Sequence, residues 1–153
     1  MNERVFKITE ANPAIEMEIG ALLRAAGLEE RFTGSPELFA ALDGEGGLLA
    51  LSGARDLEEE CLIEFIAVRR DGRGKGTGSR LMGRVLGYFA GRSRRAWLFS
   101  TTGSAGFFER FGFESILPDR VPGQVRDSRA VAGIEIAGTV PMRLALPSRW
   151  PVI

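Results

Sequence analysis

The chain has 153 residues, 44% of them apolar and 26% charged, which is the composition of an ordinary soluble globular domain. The 20 basic and 20 acidic residues give a formal net charge of zero, which argues against a general nucleic-acid binder. The single cysteine excludes an intrachain disulfide, and the lack of histidine excludes Ser-His-Asp and Cys-His catalysis and most zinc sites.

The charged residues are unevenly distributed along the chain. Basic residues are concentrated between Arg69 and Arg95 and acidic residues between Asp56 and Glu60, so the basic surface is local and suits a small anionic ligand. No apolar run reaches the roughly 18 residues that span a bilayer, and the first residues lack the apolar core of a signal peptide. We therefore expect a cytoplasmic protein with no membrane, nucleic-acid or metal partner.

The N-terminal part of the chain predicts a strand, a helix and a β-hairpin. Residues 4–8 alternate as a strand does, and Asn12 followed by Pro13 is typical of a helix start. The helix is expected to bury an apolar stripe formed by Ile15, Ile19, Leu22, Leu23 and Ala26. The hairpin joins residues 37–43 and 48–54 through a glycine-rich tetrapeptide, although the composition of the first run would suit a helix equally.

The rest of the chain alternates strands and helices. An acidic turn at residues 56–60 leads into residues 61–68, whose continuous apolar run predicts a buried central strand. Further strands are predicted at residues 96–100, 113–117 and 139–146, and helices at residues 77–91, 104–112 and 122–132. The short middle helix carries three phenylalanines that are expected in the core, Phe107, Phe108 and Phe111. This order predicts a single α/β domain over residues 1–153 with a mixed sheet.

Residues 69–80 join the central strand to the following helix and are rich in glycine and in basic residues. Such a turn places unhindered backbone N–H groups at the positive end of a helix dipole, which suits a phosphate or pyrophosphate. The spacing does not fit the P-loop, because Lys75 is followed by glycine and position 69 is arginine. It does not fit the dinucleotide fingerprint either, because the sixth position counted from Gly72 or from Gly74 is not glycine.

The segment Arg73-Gly74-Lys75-Gly76-Thr77-Gly78 reads R-x-x-G-x-G and follows the central strand. It resembles the acetyl-CoA-binding motif of the GNAT superfamily of N-acetyltransferases. Residues 66–68, 79–82 and 108–113 resemble that family's strand end, helix start and later helix-Gly-Phe segment, so the resemblance covers essentially the whole chain. It implies a mostly antiparallel mixed sheet of six to seven strands, with helices on both faces and a splayed central strand pair that binds acetyl-CoA.

The resemblance implies how the glycine loop holds the cofactor. The backbone N–H groups of Gly74, Gly76, Thr77 and Gly78 would cradle the pyrophosphate, while Arg73 helps to close the turn. The basic side chains around the loop would screen the 3′-phosphate more weakly, and these are Lys75, Arg80 and Arg69 or Arg70.

The resemblance also assigns the other end of the cofactor. The pantetheine arm would pair like an extra strand with backbone groups of Ile66 and Val68, and a backbone N–H near Ala67 or Val68 would polarise the acetyl carbonyl. Thr101 falls where relatives often carry a side-chain amide that holds the cofactor. We therefore expect acetyl-CoA as co-substrate, held by these residues and by the glycine loop.

Many relatives use a Glu on the central strand as general base and a Tyr on the later helix as general acid. Glu64 is the candidate base, and the alternative is a carboxylate that is solvated or paired with an arginine. The Tyr position is Phe108, which cannot protonate a thiolate, and Tyr88 has no matching role. Release of the coenzyme A thiol would then rely on the low pKa of that thiol, on water, or on a hydroxyl of Ser100, Thr101, Thr102 or Ser104. For each hydroxyl, a structural hydrogen bond at a strand end or helix cap is at least as good an explanation.

Cys61 is expected to be a buried apolar residue rather than a nucleophile.

Segments between residues 98 and 129 resemble small GNAT enzymes that acetylate free amino acids, including N-acetylglutamate synthase-like proteins and arsenic-operon acetyltransferases. A bidentate arginine would suit the carboxylate of such a substrate, and Arg126 and Arg129 on the predicted C-terminal helix are the candidates. The alternative is that both are exposed helix arginines. The Cys-Pro pair of the arsenic-operon group is replaced by Glu135 and Ile136, which departs from that subgroup.

We therefore expect an N-acetyltransferase that moves an acetyl group from acetyl-CoA to the amine of a small molecule, an amino acid or amino-acid-like compound, by direct attack in a ternary complex. Two alternatives stay open. One is a non-catalytic CoA-binding regulatory module, and the other is an acetyltransferase for protein N-termini or lysines, which the acidic residues 56–60 would suit. The last predicted strand could form a sheet edge shared in a homodimer, with Pro141 limiting its pairing.

Overall fold

The structure is a computed structural model that describes residues 3–9, 13–27, 36–128 and 138–151. Within these ranges the strands are β1 (Arg4–Lys7), β2 (Glu37–Leu42), β3 (Leu48–Leu57), β4 (Glu60–Val68), β5 (Arg95–Ser100), β6 (Glu114–Ser115) and β7 (Val140–Ala145). The α-helices are α1 (Pro13–Ala25), α2 (Thr77–Phe89), α3 (Ala105–Glu109) and α4 (Gly123–Arg126). The predicted helix cap Asn12, the candidate Arg129 and the end of the predicted helix 122–132 lie outside the described residues.

The strands form one mixed sheet in the order β1-β2-β3-β4-β5-β7-β6. The β4–β5 pairing is parallel and the other pairings are antiparallel, which confirms the predicted mostly antiparallel sheet. The expected edge position of the last strand is wrong. β7 lies between β5 and β6, because Met142 and Arg143 pair with the short strand β6 on one side while the whole of β7 pairs with β5 on the other.

Helices cover both faces of the sheet, as predicted. α2 buries an apolar face against β2, β4 and β5, and the residues of this cluster include Phe39, Cys61, Ile63, Leu81, Val85, Phe89 and Leu98. α1 covers the opposite face with a second cluster that includes Leu22, Leu23, Leu51, Phe65 and Ala67. α4 covers Leu62 and Trp97, which form a third cluster with Val121 and Val125.

Several element boundaries differ from the sequence prediction. The acidic turn is confined to Glu58 and Glu59, because β3 extends to Leu57 and β4 already begins at Glu60. Glu60 is buried, and its carboxylate binds the Arg95 guanidinium of the neighbouring strand at 2.7 Å. This ion pair compensates for burying the charge. β6 and α4 are shorter than predicted, at two and four residues.

A β-bulge at Glu64 changes which face the following residues of β4 occupy. Ala54 of β3 pairs with Ile63, whereas the preceding Gly53 pairs with Phe65, so Glu64 is the extra residue of the bulge. Without the bulge, Ile63 and Phe65 would share one face. Instead, Ile63 packs in the α2 cluster and Phe65 packs in the α1 cluster.

Candidate functional site

The central strands β4 and β5 separate after a short parallel contact. Residues 60–62 of β4 pair with residues 95–97 of β5, and β5 then continues to Ser100 in register with β7. Among the described residues, positions 63 and 65–68 of β4 are paired with β3 alone. This is the splayed strand pair that the sequence predicts, and it leaves a gap beside the second half of β4.

Backbone groups of Ile66 and Val68 point into this gap. The Arg69 N–H donates to the Leu49 carbonyl of β3 at 2.7 Å, so the backbone of Arg69 faces β3. Backbone groups alternate between the two sides of a strand, so the backbone of Ala67 also faces β3 while those of Ile66 and Val68 face away from it. The alternation therefore favours Val68 over Ala67 as the N–H donor toward a ligand in the gap.

The glycine loop begins with a 3₁₀ turn, Arg70–Gly72, and ends where α2 begins at Thr77. Gly74 and Gly76 have φ angles of 78° and 81°, a region that glycine adopts without the steric cost of a Cβ atom. Arg73 donates a hydrogen bond from Nε to the Val68 carbonyl at 3.3 Å, so its side chain closes the loop onto the end of β4.

A cavity of about 310 Å³ lies between the glycine loop and α3. The predicted cofactor residues that line it are Val68, Arg73, Gly74, Gly76, Thr77 and Gly78. Phe107 and Arg110 form the opposite wall, and the sequence prediction did not assign either of them to the cofactor. Arg110 lies inside the predicted helix-Gly-Phe segment, so the signal was present in the chain but nothing local indicated the direction of its side chain.

Two of the basic residues expected around the 3′-phosphate are already paired. Glu3 accepts hydrogen bonds from Arg80 and from the Thr77 hydroxyl, with Arg80 Nη2 at 2.8 Å and Thr77 Oγ1 at 3.0 Å from Glu3 Oε2. The hydrogen bond from Arg80 lowers the pKa of Glu3, which therefore stays ionised. Arg69 likewise binds Asp71 at 2.6 Å and Asp43 at 3.6 Å.

Glu64, the candidate base, is buried and paired with an arginine. Its side chain is 2% exposed, and Oε2 accepts a hydrogen bond from Arg55 Nε at 2.6 Å. Its other oxygen, Oε1, is buried and has no hydrogen-bond partner. Burial raises the pKa of Glu64, and the hydrogen bond and charge of Arg55 oppose that rise. The carboxylate thus combines the arginine pairing with one oxygen that has no hydrogen-bond partner, and Glu64 is not among the residues that line the cavity beside the glycine loop.

The remaining candidates have structural contacts. Phe108 is buried in the α2 cluster, with its ring 5.1 Å from that of Phe107. The Thr101 and Ser104 hydroxyls lie 3.0 Å apart, whereas the Ser104 side chain makes no cap hydrogen bond to α3. Burial raises the pKa of the Cys61 thiol to about 12, in agreement with an apolar rather than a nucleophilic role.

A second cavity of about 370 Å³ is also lined by Val68, together with residues of α1. Arg70 and Arg73 contribute positive charge to its wall, and Glu18 contributes a carboxylate.

Arg126, the predicted substrate residue, is exposed on α4 and donates to the Pro118 carbonyl at 2.6 Å. Within the described part of the chain, no group of three His, Cys, Asp or Glu side chains is placed to hold a metal ion. The described helices are each too short or too polar to cross a membrane.

Solved structures of known acetyltransferases share this fold. N-acetylglutamate synthase from Neisseria gonorrhoeae, complexed with coenzyme A and N-acetyl-glutamate, aligns with a TM-score of 0.72 at 17% identity over 94% of this chain. The chain spans only 35% of that enzyme. Tetrahymena GCN5 aligns with a TM-score of 0.73 at 14% identity, over 97% of this chain and 98% of its own length. The ribosomal-protein-S18-alanine N-acetyltransferase from Escherichia coli aligns with a TM-score of 0.65 at 14% identity, over 95% of each chain.

At these identities the structural likenesses show the fold alone, and no curated protein matches the chain in sequence. The family comes from a sequence model. The model of the acetyltransferase (GNAT) domain matches residues 35–115, which is more than half of the chain and includes the splayed strand β4 and the glycine loop. The chain therefore belongs to the GNAT acetyltransferase family and is an acyltransferase domain.

Proposed function

We propose that the protein transfers an acetyl group from acetyl-CoA to the amine of a small amino acid or amino-acid-like molecule, with Glu64 as the general base. The observation that carries this proposal is the buried Glu64 carboxylate, which has a free oxygen and lies on the part of β4 that has separated from β5. A primary amine is mostly protonated near neutral pH, so a base is needed to generate the nucleophile.

The proposed reaction is a direct transfer. Glu64 Oε1 takes one proton from the ammonium form of the acceptor, which gives the neutral amine. The amine nitrogen then forms a bond to the acetyl carbon, the carbon–sulfur bond breaks, and its electron pair leaves with the coenzyme A sulfur. The nitrogen loses its second proton to water as the amide forms. The Val68 N–H, which faces the gap, would stabilise the negative charge that develops on the carbonyl oxygen. Phe108 has no proton to give, so the sulfur leaves as a thiolate and is protonated by water.

The size and charge of the second cavity support a small, carboxylated acceptor. Its volume of about 370 Å³ is near the lower end of small-molecule sites, which are roughly 300–1,000 Å³. Arg70 is exposed and lines this cavity, so its guanidinium is available for a bidentate contact with a carboxylate. Glu18 contributes a carboxylate to the same wall, whereas Glu64 is not among the residues that line this cavity, so the acceptor amine would extend from the cavity toward β4. The role of Arg126 at a substrate carboxylate stays a prediction.

A panel of amines tests the proposal. The purified protein and acetyl-CoA are incubated with free amino acids, with the matching amino-acid amides, with an aminoglycoside and with a peptide that has a free N-terminal alanine. Thiol release and the mass of the product are measured. We expect turnover on free amino acids, and a kcat/KM on the amides that is at least tenfold lower because the carboxylate is missing.

Two variants make this test specific. Arg70→Met should raise KM for the amino acid but leave KM for the amide unchanged, whereas Arg84→Met, an exposed change on α2, should alter neither. Preference for the peptide would refute the small-molecule acceptor and favour a protein acetyltransferase. Tight acetyl-CoA binding without turnover on any amine would favour a non-catalytic module.

A further inference from the structure

The cofactor cavity has one basic wall that the glycine loop does not provide. Arg110 follows the last residue of α3 and lies opposite the loop, in the cavity of about 310 Å³. Its guanidinium carbon is 5.6 Å from the centroid of the Phe107 ring, which is a cation–π distance. The Phe107 ring in turn lies against Gly78, since a Cβ atom there would be 3.6 Å from the ring. Phe107 therefore holds Arg110 across the cavity from the first turn of α2.

The positive charges of this region are unequally available to a ligand. Arg80 binds Glu3 through two nitrogens, and Arg69 binds Asp71 and Asp43, so both guanidinium groups are largely neutralised. Among the described residues, no carboxylate forms an ion pair with Arg110 or Arg73. These two arginines line the cavity, whereas Lys75 does not.

We propose that Arg110 binds the pyrophosphate of acetyl-CoA from the wall opposite the glycine loop and forms a clamp with Arg73. A pyrophosphate carries two negative charges, and the planar guanidinium group can donate two parallel hydrogen bonds to such a group. The backbone N–H groups of the loop bind one side of the phosphates, and Arg110 binds the other side. This inference rests on the proposed use of acetyl-CoA as donor.

The position of Arg110 also connects the cofactor cavity to both of the strands that separate, β4 and β5. Phe107 lies in α3 and Arg110 directly follows it, and α3 comes after β5, while the loop follows β4. A ligand bound to both would therefore bridge the two strands that separate from each other. The clamp would orient the pantetheine arm into the gap before the acceptor reacts.

Calorimetric titration with two probes tests the clamp. Coenzyme A carries the pyrophosphate and the 3′-phosphate, whereas 3′-dephospho-coenzyme A keeps only the pyrophosphate. We expect Arg110→Met to weaken the binding of both probes by the same factor, about tenfold or more, because a charge-assisted hydrogen bond is lost. Arg110→Lys should lose less than Arg110→Met because it keeps the charge. The matched control Arg84→Met removes one exposed arginine from α2 and should bind both probes like the wild type.

The outcomes separate this inference from the proposed function. Wild-type affinity of Arg110→Met for both probes would overturn the clamp, and so would a loss confined to coenzyme A, which would assign Arg110 to the 3′-phosphate. Either result would leave acetyl transfer by the wild-type protein untouched. Failure of the wild type to bind coenzyme A would instead refute the proposed donor. Thermal unfolding of Arg110→Met should match the wild type, because Arg110 is exposed and lies outside the core.

Discussion

Arg55 lies across the β3–β4 ladder from Glu64 and donates a hydrogen bond to it at 2.6 Å, at the bulge where β4 gains its extra residue. The contact uses one oxygen of the carboxylate and leaves the other without a partner. Because burial favours the neutral acid and Arg55 favours the carboxylate, Arg55 opposes the rise that burial causes in the pKa of Glu64. Arg55 therefore affects the pKa of Glu64 and also holds its side chain in place at the bulge.

The pH dependence of activity should report this pair. Glu64 accepts a proton only when it is ionised, so kcat/KM falls as the pH drops through its pKa. Arg55→Met removes the group that lowers this pKa, so we expect the acidic limb of the pH profile to move to higher pH. Arg55→Lys, which keeps a cation, should move it less. An acidic limb at the same pH in all three proteins would show that Arg55 does not tune the catalytic group.

Removal of the base should affect turnover more than binding. We expect Glu64→Gln to lower kcat/KM by about 10²–10⁴, the range typical of general base catalysis, and to remove the acidic limb. Affinity for coenzyme A should stay at the wild-type value, because the phosphates bind at the loop. Steady-state kinetics with the best acceptor of the amine panel, together with calorimetry, would measure both effects. Wild-type turnover by Glu64→Gln would assign the proton transfer to another group.

The left-handed backbone at Gly76 should make the loop intolerant of a branched side chain. Gly76→Val places a β-branched residue at a φ of 81°, which is strongly disfavoured, so the loop must rearrange. We expect coenzyme A binding to weaken by more than tenfold, while the transition temperature stays within a few degrees because Gly76 is exposed. Gly83→Ala on α2 is the control, since a Cβ there meets nothing within 4 Å. Unchanged affinity of Gly76→Val would contradict the role of the loop.

Stability should depend on the glycine beside the bulge. A Cβ atom at Gly53 would overlap the Phe65 ring, which packs under α1, so Gly53→Ala forces that buried ring to move. Overpacking of this kind lowers the free energy of unfolding by about 1–3 kcal/mol. Urea denaturation would measure it, with Gly106→Ala as control because a Cβ there has open space. A Gly53→Ala protein as stable as the wild type would show that Phe65 can repack freely.

Cys61 should be dispensable for chemistry. Its thiol is buried and has a pKa of about 12, so it is not a thiolate near neutral pH. We expect Cys61→Ala to keep kcat within about twofold of the wild type, with a loss of stability from the small cavity. Intact-mass spectrometry should find no acetylated enzyme during turnover. An acetyl group on Cys61, or loss of transfer in a folded Cys61→Ala protein, would refute direct attack.

The element order and the glycine loop followed from local patterns in the sequence. The 3.6-residue spacing of α1, the apolar run of β4 and the R-x-x-G-x-G spacing each lie within a short segment, so their physical causes are local too. The predicted extent of β6 and α4 was wrong because a local pattern does not determine where such a short element ends. The lengths of these short elements depend on the neighbours that they pair with or cover, and short patterns contain no information about those neighbours.

Local patterns in the sequence were enough to predict that Arg73–Gly78 would form a loop suited to a phosphate and that β4 would be buried. The charges that stay available at this loop depend instead on contacts between residues that are far apart in the chain. Glu3, 77 residues before Arg80, neutralises it, and Arg110, which directly follows α3, faces the loop in its place. The bulge that brings Arg55 to Glu64 likewise depends on the register between two strands. The physical reason is the same in each case, because side-chain pairing across the chain depends on strand register and helix packing, which no local spacing encodes.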